Sequence, residues 1–150
     1  MESRTHVHEE YFEVDSATLF AALHTPSAIR TWWQAAAAIV VPEEGGRYLV
    51  SWGAEEDDPD YVVAASICAF ESGVRLVLGE HYYWAKEGPL PFEMKTKIEF
   101  VVRPLDSGAT LRVTQGGFPA GPEADEYFNA CVKGWRDTFA GIRSYLAACP

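Results

Sequence analysis

Six large apolar residues near the C-terminal end, Phe128, Val132, Trp135, Phe139, Ile142 and Leu146, recur at alternating steps of four and three. That spacing keeps all of them on one face of an α-helix. The segment begins after Gly121-Pro122 and predicts a helix on the order of 27 residues long. Such a stripe cannot stay in water, so the rest of the chain must supply a surface of matching length to cover it. Glu123, Asp125 and Glu126 fall in the first turns and Lys133, Arg136 and Arg143 later, an order that complements the helix dipole. Gly134 and Gly141 weaken the helix locally, and each allows a close approach to a sheet.

The preceding chain reads as that surface. His6 to Val14 alternates loosely as a strand, and Asp15 and Ser16 offer N-cap side chains to a helix carrying Leu19, Phe20 and Leu23. Thr25-Pro26 ends it and starts a second helix with Ile29, Trp32 and Trp33. Beyond Ala37 the period changes to two. Ala38 to Val41 is a short strand, Glu44-Gly45-Gly46 a turn, and Arg47 to Gly53 a strand with Tyr48, Val50 and Trp52 on one face. Glu55 to Asp60 is a solvated acidic loop.

Further strands are expected at Tyr61 to Phe70, Val74 to Trp84, Lys95 to Arg103 and Ala109 to Gln115. Thr96, Ile98, Phe100 and Val102 oppose Lys95, Lys97, Glu99 and Arg103, while Leu111 and Val113 turn inward. Such alternation describes antiparallel strands with one wet and one buried face. The fold class is therefore α+β: a curved antiparallel sheet around a long C-terminal helix, with two short helices after the first strand. One domain, 1–150, is expected. A sheet of about six strands curls through its own twist, so a pocket remains wherever the helix does not fill the hollow. The 13% aromatic content, with five Trp, supplies a lining: Trp32, Trp33, Tyr48, Trp52, Phe100, Phe118, Phe128, Trp135 and Phe139.

Charge narrows the partners. A formal net charge of -10, with no local Lys/Arg cluster, repels nucleic acid and anionic membrane surfaces. The polar N-terminal stretch does not read as a signal peptide, and no apolar run reaches membrane-spanning length. Cys68, Cys131 and Cys149 are odd in number and lack metal-ligand spacing, so free thiols in a reducing cytoplasm are expected.

Three landmarks occur in order: Thr25-Pro26-Ser27-Ala28-Ile29-Arg30-Thr31-Trp32-Trp33, then Gly45-Gly46-Arg47-Tyr48, then Gln115-Gly116-Gly117-Phe118-Pro119 running on to Lys133-Gly134-Trp135 and Tyr145-Leu146. Together they resemble the SRPBCC (START and birch-pollen-allergen-like) superfamily. Within it the chain looks most like homologues of the C-terminal domain of the activator of the heat-shock-protein-90 ATPase. The resemblance spans about His6 to Leu146. It implies a helix-grip fold whose cavity holds a hydrophobic small molecule, with no cofactor and no shared catalytic constellation. It also allows a homodimer, which no feature of the sequence itself specifies.

Chemistry-bearing groups are few. His6-x-His8-x-Glu10 puts three ligand types on one strand face, but at a terminal segment where polar residues are ordinarily solvated, so no metal site is assigned. Glu80, Tyr82 and Trp84 share one strand face, with His81 and Tyr83 on the other. Within a cavity, Glu80, His81 or Tyr82 would be candidate proton-transfer groups for a cyclase- or dehydratase-type enzyme. Arg47 is expected to pair with Glu43 or Glu44, or else to reach a ligand carboxylate. No nucleophile elbow or phosphate-cradling loop occurs. The preferred reading is a non-catalytic binder, with the cyclase-like enzyme or a stress- or chaperone-linked interaction module as alternatives.

Overall fold

The computed structural model describes residues 3–93 and 95–149; positions 1, 2, 94 and 150 of the expected 1–150 domain lie outside them. In chain order the elements are β1 (Ser3–Phe12), α1 (Ser16–His24), α2 (Pro26–Trp32), β2 (Ala37–Val40), β3 (Arg47–Trp52), β4 (Tyr61–Glu71), β5 (Arg75–Ala85), β6 (Lys97–Leu105), β7 (Gly108–Pro119), a 3-10 turn (Pro122–Ala124) and α3 (Asp125–Ala148). The strands form one antiparallel sheet of seven in the order β1-β7-β6-β5-β4-β3-β2, so the N-terminal strand closes one edge against β7. This is the α+β helix-grip arrangement expected. Among the described residues no helix is long and apolar enough to cross a membrane.

Local chemistry explains the boundaries. The Asp15 carboxylate accepts from the Thr18 N–H at 2.7 Å, capping α1, and Pro26 occupies the first turn of α2. The last carbonyls of α1 have no partner within the helix, so aromatic donors take them: Trp32 donates its indole N–H to Ala22 O (2.9 Å) and Tyr48 its hydroxyl to Leu23 O (2.7 Å). Two bonds thereby tie α1 to α2 and to β3. Thr96 just before β6, Ile98, Phe100 and Val102 on β6, and Leu111 and Val113 on β7 are buried, the alternation read from the sequence, and Ala109 and Gln115 continue it on β7.

The long helix is preceded by the 3-10 turn and runs 24 residues, shorter than expected. Trp135, Phe139, Ile142 and Leu146 are buried against the sheet and α2, whereas Phe128 and Val132 are half-buried. Its acidic first turn is present, but no basic residue lies in the last turn. Instead the arginines hold β1 to both helix ends: Arg4 pairs with Asp125 at 2.7 Å and Arg143 with Glu10 at 2.7 Å.

The two helix glycines differ. Gly141 makes a close approach, but to the Trp32 carbonyl of α2 and not to the sheet, while an added Cβ at Gly134 meets nothing within 4 Å. Gly134→Ala therefore gains helix propensity without a clash. It is expected to raise stability by about 0.5–1 kcal/mol, read as a higher urea midpoint at unchanged slope.

Candidate functional site

The sheet opens at one place. β5 pairs with β6 only from Arg75 to Leu78, although β5 continues to Ala85. Two register shifts in the β4–β5 ladder, between Ala64 and Ser66 and between Ile67 and Ala69, accompany the change. Glu80 there adopts a φ of 51°, in the left-handed region that few residues other than glycine visit. Beyond Glu80 the strand pairs, among the described residues, with β4 alone, and a connection of eleven residues separates Ala85 from Lys97.

Between this parted end and the first half of α3 lies a cavity of about 650 Å³. Trp33 follows α2, Trp52 ends β3, and Tyr61 and Val63 begin β4; His81 and Tyr83 come from β5, Ile98 from β6 and Gln115 from β7. α3 contributes Tyr127, Ala130, Cys131, Trp135 and Thr138.

Three tryptophans form the apolar wall, and each indole donor is already satisfied by the protein. Trp33 donates to Thr138 Oγ1 (2.8 Å), Trp52 to Trp33 O (3.0 Å) and Trp135 to Gln115 Oε1 (2.7 Å). Trp33 packs edge-on to Trp52 at 5.3 Å and lies 6.0 Å from Trp135. Rings held in this way offer carbon to an occupant and ask for no hydrogen bond in return.

The titratable groups in the interior of the lining, His81, Cys131, Tyr127 and Tyr83, are neutral near pH 7. His81 Nδ1 lies 2.7 Å from the Thr96 carbonyl, which can only accept, so Nδ1 carries the proton and Nε2 is a bare acceptor. That Nε2 is buried with no hydrogen-bond partner among the described residues, and burial holds the imidazole below its ordinary range. Burial also pushes the Cys131 thiol up to about 11 and raises the Tyr127 and Tyr83 hydroxyls. The charged lining groups are Asp60 and Asp137, both exposed; the described lining contains no Lys or Arg.

The residues expected from the sequence divide by depth. Trp33, Trp52 and Trp135 line the cavity. Trp32, Tyr48, Phe100 and Phe139 are buried in the core, Phe118 is fully buried beside Tyr127, and Phe128 is half-buried between His6 and Phe118 under the Arg4 guanidinium. Of the polar candidates, His81 reaches the cavity with Tyr83, whereas Glu80 and Tyr82 are exposed and lie outside its lining. Arg47 is not paired with Glu43 or Glu44 among the described residues and lies outside the cavity lining; its guanidinium donates to the Ser66 hydroxyl on β4 at 2.7 Å. A second helical stripe, Tyr127, Cys131, Trp135 and Thr138 at steps of four, four and three, runs beside the main one and would have identified the α3 lining.

On β1, Glu10 turns to Arg143, leaving His6 Nδ1 2.8 Å from His8 Nε2. The His6 ring packs against Phe118 and Phe128, and its Nε2 is buried with no hydrogen-bond partner among the described residues. Burial first, and His8 second, push His6 down to about 4. Because the folded value lies below the ordinary one, about 6.5, the unfolded chain takes up the proton first as pH falls. The stabilisation is complete above about pH 6.5 and is lost toward pH 4. Allowing for solvent screening of a part-buried ring, the loss is expected to be about 1–2 kcal/mol. His6→Phe should flatten this part of the stability–pH curve measured by urea unfolding; an unchanged curve would assign it to other groups.

The family model for Activator of Hsp90 ATPase homolog 1-like protein matches residues 13–147. No curated protein matches the chain. Solved structures share its fold: a Mesorhizobium loti protein is 23% identical with a TM-score of 0.79, over 98% of this chain and 99% of that one. A Staphylococcus aureus protein is 12% identical with a TM-score of 0.77, over 97% and 94% of the two chains. CalU16 of Micromonospora echinospora is 14% identical with a TM-score of 0.70, over 99% of this chain and 77% of its own. At these identities the structures speak for the fold, and the family model, covering most of the chain, for descent: this chain belongs to the Activator of Hsp90 ATPase homolog 1-like family.

Proposed function

We propose that the protein binds an uncharged, lipophilic small molecule in the cavity between the parted sheet and α3. The observation carrying this reading is a cavity of about 650 Å³ walled by three indoles whose donors are already satisfied. The volume suits a small organic ligand. A carboxylate or phosphate would meet no Lys or Arg in the described lining and a protein of net charge -10, so electrostatics disfavours an anionic ligand. Cys68, Cys131 and Cys149 are free, which suits a reducing compartment such as the cytoplasm.

Native and denaturing mass spectra of the purified protein test the reading. A small adduct lost on denaturation is expected, and Ala130→Trp, which fills the cavity from α3, should abolish it with the fold intact. An adduct that survives Ala130→Trp would place the ligand elsewhere. A second reading, proton transfer on the bound molecule, is favoured by His81 alone, whose fixed tautomer leaves Nε2 as a base. If it holds, His81→Gln removes turnover of the identified ligand and leaves its binding unchanged.

A further inference from the structure

One inward position on β7 breaks the apolar pattern. Leu111 and Val113 are buried, and the next residue in their row is Gln115, 5% exposed and part of the cavity lining. Directly after it the strand bulges: β1 passes from His6 opposite Gln115 to Arg4 opposite Phe118. Gly117 there takes a φ of 87°, and an added Cβ would meet the Lys95 carbonyl oxygen. Such bulges re-aim the side chains beside them. An amide in an inward row carries a desolvation cost unless both its polar ends find partners. One end does. An indole N–H can only donate, so the atom 2.7 Å from Trp135 Nε1 is the Gln115 oxygen, and the amide has one orientation. Its NH2 group is therefore turned away from Trp135. Among the described residues no hydrogen bond takes it, and unlike His81 Nε2 the nitrogen is not sealed from solvent, so it opens on the cavity that Gln115 lines.

Taking the cavity as the ligand site, on which this rests, we propose that Gln115 selects the ligand: the occupant carries an uncharged carbonyl oxygen that accepts from the amide. The class is a ketone, ester or amide on an otherwise apolar body. Water can serve the NH2 group when no ligand is bound. A wholly apolar ligand would displace that water and strand the donor, whereas a carbonyl oxygen takes the water's place. A carboxylate would also accept, but the net charge of -10 and the absence of Lys or Arg from the described lining disfavour it. The donor is held in one direction, because the Trp135 ring that fixes the amide oxygen is itself packed between Phe100 and Trp33. A site with a fixed, buried donor discriminates against the analogue that lacks the acceptor.

Two matched probes provide the test: benzophenone, and diphenylmethane, in which a methylene replaces the carbonyl. Equilibrium dialysis gives the dissociation constants of both for the wild-type chain and for Gln115→Met, whose side chain is unbranched, of similar length and without an amide. The ratio of the two constants is compared between proteins, so the probes' different hydrophobicity and any general loosening of the variant cancel. Gln115→Met should shift that ratio against benzophenone by about tenfold. With benzophenone isotope-labelled at the carbonyl carbon, the bound C=O stretch should lie below its position in hexane on the wild type and return toward it on Gln115→Met. If that variant does not fold, Gln115→Met combined with Trp135→Phe, which removes both ends of the buried bond, is compared with Trp135→Phe alone. An unchanged ratio, or a stretch unshifted on the wild type, overturns the role of Gln115; blockage of both probes by Ala130→Trp would then leave the cavity reading standing. Uptake of neither probe, or uptake that survives Ala130→Trp, overturns the cavity reading and this proposal with it.

Discussion

Trp135→Ala is expected to lower folding stability by about 3–5 kcal/mol, the usual range for removing a buried aromatic. Trp135 is 5% exposed, packs edge-on to Phe100 at 5.8 Å and lies between that core ring and Trp33 of the cavity wall. Alanine removes the ring from both groups at once. It also strands the Gln115 amide oxygen, which accepts the indole N–H at 2.7 Å and is itself on a buried side chain. A buried acceptor left without its donor adds its own desolvation cost, which places the loss toward the upper end of the range. For a domain of this size the unfolding midpoint should fall by about 10 °C or more. Trp135→Phe separates the contributions, since it restores most of the volume and leaves Gln115 unpaired. An alanine variant within 1 kcal/mol of wild type, by the same order-of-magnitude reasoning, would mean that the helix and sheet are not packed through this ring.

Gly141→Ala is expected to destabilise by about 2–3 kcal/mol, even though alanine is the better helix former. An added Cβ would meet the Trp32 carbonyl oxygen, and that obstacle is backbone, which cannot rotate away as a side-chain tip can. Either α3 or α2 must move. Trp33, next in the chain, donates to Thr138 on α3, so the displacement is transmitted to the cavity wall. Ligand uptake should weaken together with stability, as read by native mass spectrometry and urea unfolding of the same variant. The opposite effect expected at Gly134 is the control, because both substitutions make the same chemical change in one helix.

Much of this was legible in the sequence, for identifiable reasons. The α3 stripe, the Asp15 cap and the inward set on β6 and β7 are local patterns, and local geometry realises them. The alternation placing His81 and Tyr83 opposite Glu80, Tyr82 and Trp84 also holds, but the strand's period slips by one at Glu80, where Leu76 and Leu78 face the core before the bulge and His81 and Tyr83 turn inward after it. Arg47 was not legible: its nearest carboxylates in sequence are Glu43 and Glu44, but strand pairing brings Ser66 closer. His6 was not legible either. A polar residue near the terminus reads as solvated, yet pairing of β1 with β7 brings its ring between Phe118 and Phe128.

Apart from the slip at Glu80, the sequence by itself determined which side of each strand and helix turns inward, because that follows from periods of 2 and 3.6 residues within one element. Only the tertiary structure decided which inward residues are core and which face the cavity. Trp32 and Trp33 are neighbours in one motif, yet the first is 3% exposed in the core and the second lines the pocket. The Trp32 indole turns to the Ala22 carbonyl of α1, while the Trp33 indole turns to Thr138 on α3. Such a separation belongs to the packing of whole elements, and no residue pattern within a single element encodes it.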